Sequence, residues 1–141
     1  MTVLETLFRS FLTSLLFIGV SMPITYKLTG WFSEKIAVDG CPTAYGHLLH
    51  TTIFLLLAFL LNVSLSSYLE KNEGAGVMFT CAVMSTLLFY FVSNSELYQV
   101  TSNVNDKLTV AGCPGYVGVI VHSFVFMLLS FGMMNLPKNT V

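Results

Sequence analysis

Four long apolar runs separated by short polar stretches organise this sequence. Phe11 to Ile24 carries no charged residue, and the run extends to Leu28 if Lys27 lifts its ammonium to a surface. Tyr45–Leu69, Val77–Ser95 and Tyr116–Leu136 contain no Asp, Glu, Lys or Arg at all. A helix that crosses a bilayer needs about 20 mostly apolar residues. The runs therefore predict four transmembrane helices, over 7–28, 44–69, 76–98 and 115–136. Pro23 removes one backbone donor near the end of the first and is expected to kink it. The fold class that follows is all-α, a four-helix transmembrane bundle forming one membrane domain over 1–141.

Composition supports this. The chain is 55% hydrophobic and only 9% charged, against roughly 25% charged in soluble domains. Its mean hydropathy is +0.78. A net charge of -1 and the absence of a basic run give nucleic acid nothing to bind. Glu5 ahead of Arg9 and the long apolar run that follows argue for a retained signal anchor over a cleaved leader. Charge does not orient the bundle. Arg9, Lys71 and Lys138 fall on the side of the termini, and Lys27, Lys35 and Lys107 on the other, so the positive-inside rule has no bias to act on.

A shift of 72 residues lays the chain over itself without a gap: Gly40-Cys41-Pro42 falls on Gly112-Cys113-Pro114. Tyr26/Tyr98, Thr29/Thr101, Lys35/Lys107, Gly46/Gly118 and His50/His122 keep the same register. Leucines match by chance in apolar helices, but these loop residues do not. The pattern predicts two tandem helical-hairpin repeats, 7–69 and 76–136, parallel to each other because each has an even number of spans. Both Gly-Cys-Pro loops then share one face. The polar connector Leu69–Gly76 lies on the other.

Residues kept in both second helices are Gly46, His50, Phe54 and Leu57, and likewise Gly118, His122, Phe126 and Leu129. Steps of four, four and three put each set on one helix face, which is expected to be the packing seam. Tyr26, Trp31, Phe32, Tyr45, Tyr98 and Tyr116 cluster beside the loops, where aromatics favour the headgroup level. Trp31 and Phe32 open a segment expected to lie on the membrane surface and to contact partners.

The candidate chemistry is sparse. Cys41 and Cys113 occupy matching places on one face: a bridge closing the interval between them is one reading, two unbridged turn cysteines the other. Cys81 sits inside the third span and reads as inert packing. One cysteine per loop lacks the paired thiols of a redox catalyst. His50 and His122 lie at equal depth, so a bis-histidine haem is conceivable; hydrogen bonding to a neighbouring helix is the simpler role. Ser21 and Ser93 lie in spans and are expected to bond to their own helix. No span carries an Asp or Glu of the kind proton-coupled carriers use. No nucleophile, base and acid come together in one set. The chain does not read as an enzyme and calls for no cofactor, metal or small-molecule substrate.

The first hairpin resembles small multi-span proteins of nucleocytoplasmic large DNA viruses, of the phycodnavirus and mimivirus kind. The residues that carry the resemblance are Ser21, Pro23, Thr25, Tyr26 and Leu28, then Gly40, Cys41, Pro42, Thr43, Tyr45, Gly46 and His50. The second hairpin departs from the pattern at Ser95, Leu97 and Gly115. The resemblance implies a structural protein in the membrane beneath an icosahedral capsid, and in the host membranes used for assembly. Its implied partners are the lipid bilayer and other viral minor capsid or membrane proteins, which it would anchor or organise. A small channel or transporter is the alternative.

Overall fold

The computed structural model describes residues 2–38, 41–110 and 112–136; Asp39, Gly40, Ala111 and Lys138 lie outside them. The order is α1 (Val3–Ser21), α2 (Pro23–Gly30), β1 (Ala37–Val38), β2 (Cys41–Pro42), α3 (Ala44–Tyr68), α4 (Ala75–Val92) and α5 (Ser95–Ser102). A single 3-10 turn (Asp106–Leu108), β3 (Thr109–Val110), β4 (Cys113–Pro114) and α6 (Tyr116–Met134) complete it. Four of the helices, α1, α3, α4 and α6, are long and apolar enough to cross a membrane. The chain is a multi-pass, all-α membrane protein.

Two of the expected spans end early. The first stops at Ser21, and Pro23 begins a separate short helix at its N1 position, where its missing N–H costs nothing. The third ends at Val92 rather than 98, and α5 follows a break of the same kind. No proline stands there. Asn94 turns the backbone out of helix (ψ 134°) and its side chain accepts from Glu96 N at 3.0 Å. An asparagine cap thus produces the break that proline produces in the first helix.

Each short helix leads into a two-residue antiparallel ribbon. Ala37 pairs with Pro42 and Val38 with Cys41; Thr109 pairs with Pro114 and Val110 with Cys113. Both ribbons lie at one end of the bundle. At the other end, the α3–α4 connector is fastened to α1 by Lys71 Nζ on Glu5 at 2.6 Å and Arg9 on Glu73 at 3.1 Å.

The bundle is interleaved. α1 packs most extensively on α6, and α4 on α3, more than either does on its own hairpin partner. Phe17, Phe54, Phe89 and Phe126 fill the centre and are fully buried. Phe17 meets Phe126 at 5.1 Å and Phe89 at 5.3 Å, while Phe54 meets Phe89 at 4.3 Å and Phe126 at 5.9 Å. Lipid tails are as apolar as these rings, so the gain comes from close packing and ring geometry rather than from escape from water.

Candidate functional site

The residues of chemical interest gather at the ribbon end, and the helix breaks explain why. A helix that stops inside a bilayer leaves carbonyls of its last turn without intrahelical donors and without water to replace them. At the first break, Thr25 Oγ1 donates to Gly19 O at 2.6 Å, and His50 on α3 reaches across to Val20 O with Nδ1 at 2.8 Å. A carbonyl only accepts, so Nδ1 carries the proton and Nε2 accepts from the Thr29 hydroxyl, 2.9 Å away. Tyr26 stacks flat on the imidazole at 3.9 Å and 9°.

The second break is closed by the same histidine arrangement, though Leu97 stands where Thr25 does and supplies no hydroxyl. His122 Nδ1 lies 2.9 Å from Val92 O, its Nε2 3.0 Å from Thr101 Oγ1, and Tyr98 stacks on it at 3.8 Å. Every residue of this arrangement stands 72 positions after its counterpart in the first. Both nitrogens of each ring are engaged, so neither histidine has a lone pair left for haem iron. Tyr26 and Tyr98, expected beside the loops, are buried beneath the histidines.

The seam also runs differently from the expected stripe. Gly46 and Gly118 are buried, but against loops: a Cβ would stand 1.8 Å from Ile36 O at the first and 2.0 Å from Leu108 O at the second. Phe54 and Phe126 lie in the core. Leu57 and Leu129 face outward, 38% and 47% exposed. The buried face continues instead through Ala58 and Ser130. Those side chains are small enough for close helix approach.

Cys41 and Cys113 form a disulfide, with Cα atoms 5.4 Å apart. Cys81 is exposed on the outer face of α4 and is not a packing residue. Trp31 and Phe32 are 87% and 85% exposed. Their ring centroids are 6.4 Å apart, and Trp31 borders a surface cleft of about 570 Å³ with Lys27 and Glu34.

His47, which did not stand out in the sequence, is buried one turn into α3. Its Nε2 lies 2.8 Å from Ser93 Oγ, and its ring stacks on Tyr90 at 4.8 Å. Ser93 Oγ donates to its own helix at Phe89 O, 2.6 Å away. Ser21, expected to do the same, is buried with no hydrogen-bond partner for its hydroxyl. At the offset of 72, Val119 stands where His47 does, so Ser21 also lacks the histidine that meets Ser93.

Comparison with protein-family models, with curated proteins and with solved structures finds no match for this chain.

Proposed function

We propose that the chain is a structural membrane protein of a large DNA virus particle, which anchors or organises minor capsid proteins at the inner membrane. The observation that carries this reading is a closed interior. Four phenylalanines meet at the centre, and three threonines of the buried faces are spent on backbone carbonyls of the bundle: Thr13 on Arg9 O, Thr51 on His47 O, Thr86 on Ala82 O, each at 2.7 Å. Such a core suits a rigid anchor and offers no wetted path for a solute. The exposed pair Trp31 and Phe32, presented beside a disulfide-tied loop, is an anchor point of the kind capsid proteins would grip; aromatics dominate such contacts.

The recurrence of the histidine arrangement, the ribbons and the phenylalanine contacts at an offset of 72 supports the two-hairpin organisation. The disulfide supports a ribbon face in an oxidising compartment. The reading is tested by purifying particles and stripping external membrane. Recovery of the chain in fixed proportion to capsid proteins, with no ion or solute flux when it is reconstituted in liposomes, supports it. Flux without incorporation into particles replaces it with the channel or transporter.

A further inference from the structure

We infer that the cavity beside His47 is a binding site for a primary ammonium group. The cavity has a volume of about 300 Å³ and lies between the first turn of α3, the end of α4 and the start of α5, at the membrane boundary on the disulfide side. Thr43, His47, Tyr90, Asn94, Ser95 and Glu96 give it a polar wall.

The other half of the bundle acts as an internal control. At an offset of 72, Gly115, Val119 and Ile18 stand for Thr43, His47 and Tyr90, and Met22, Pro23 and Ile24 stand for Asn94, Ser95 and Glu96. Every polar group of the cavity has an apolar or side-chain-free counterpart, although the neighbouring histidine arrangements and ribbons are the same in both halves. Thr43 and Asn94 cap α3 and α5 here, but the other half shows that the fold does not require His47, Tyr90 or Glu96 at these places. Three polar choices beyond the caps, meeting at one cavity, call for a ligand.

The acceptor pattern says which ligand. Ser93 gives its proton to Phe89 O, so His47 Nε2 must carry the proton it shares with Ser93 Oγ. This leaves Nδ1 as an unpartnered acceptor on a side chain only 8% exposed. His47 lines the cavity, and Nδ1 is the ring nitrogen left to meet a ligand there. Glu96 adds a carboxylate at the same cavity, with no ion pair among the described residues. Two acceptors, one of them charged, repel an anion and fall short of the donors a metal needs. An ammonium brings a positive charge and three N–H donors, and satisfies both. Its source is an ethanolamine headgroup or a free amine. A choline headgroup, which has no N–H, does not fit.

The test uses the full-length protein. In one arm it is purified from vesicles of equal phosphatidylethanolamine and phosphatidylcholine, and the retained lipids are counted by native mass spectrometry. In the other it is titrated with ethanolamine hydrochloride in a calorimeter. Retention of ethanolamine lipid over choline lipid by roughly tenfold assigns the site to the headgroup; binding in the titration arm alone assigns it to a free amine. His47→Val and Glu96→Ile, the residues the opposite half already uses, each abolish the selectivity while the Cys41–Cys113 bridge still forms. No selectivity in either arm of the wild-type protein, or selectivity that survives both substitutions, overturns the proposal.

Discussion

His50 donates its Nδ1 proton to the carbonyl of Val20 at 2.8 Å, joining α3 to the end of a helix thirty residues earlier. The bond exists because α1 breaks at Met22, within a layer that holds little water. Replacing His50 with Leu leaves that carbonyl unpaired and should cost about 2 kcal/mol. His122→Leu should cost the same, because Val92, Thr101 and Tyr98 surround it in the same geometry. Equilibrium unfolding in detergent measures both. A loss at one site only would show that the two breaks are not energetically alike.

The disulfide orients the membrane. A bridge between Cys41 and Cys113 closes an interval of 72 residues and contributes on the order of 4 kcal/mol in the chain-entropy picture. It persists where the ribbon face is oxidising. With only the outer cell membrane permeabilised, a membrane-impermeant reductant should leave it closed and an impermeant maleimide should find neither thiol. A bridge that opens before the internal membranes are permeabilised would reverse the orientation.

The spans were legible in the sequence because twenty charge-free residues have few other uses. The break at Asn94 was not, because a cap announces itself only when the chain around it has turned; Pro23 was the visible half of a feature present twice. The seam was legible as far as Phe54 and Phe126. It then failed by one residue, at Leu57 and Leu129, because kept leucines serve lipid as well as core, while Ala58 and Ser130 mark where helices touch. Gly46 pointed to close approach correctly, but its neighbour is a loop carbonyl that only the tertiary fold supplies. His47 gave no signal: its worth depends on Ser93, 46 residues away.

Glycines divide sharply. Gly46→Ala and Gly118→Ala would drive a Cβ into backbone oxygens at 1.8 and 2.0 Å, and backbone cannot step aside as a side chain does. Each should cost at least about 3 kcal/mol and release the ribbon from its helix. Gly19→Ala and Gly132→Ala meet nothing within 4 Å and should be neutral or stabilise by up to about 1 kcal/mol. Thermal unfolding of the four variants, with disulfide formation as the readout of ribbon docking, separates the pairs. Equal behaviour of all four would sink the account of Gly46 as a seat for Ile36.

At the opposite end, Arg9 is buried and Glu73 half-buried, with Arg9 Nη2 within 3.2 Å of both carboxylate oxygens and Arg9 Nε left without a partner. An imperfectly satisfied buried cation is a poor source of net stability but a costly one to strand. Glu73→Gln alone leaves the guanidinium uncompensated and should cost about 3 kcal/mol. Arg9→Met together with Glu73→Gln removes both charges and should recover most of that loss. Lys71 and Glu5 hold the same connector from a more solvated position, and Lys71→Met should change stability little. A double-mutant cycle on Arg9 and Glu73, run beside the Lys71 variant in low and high salt, checks the ranking. Strong coupling for the buried pair with little salt dependence is the expected result. A Lys71 variant as damaging as Glu73→Gln would mean that the connector is held by charge at the surface, not by the buried pair.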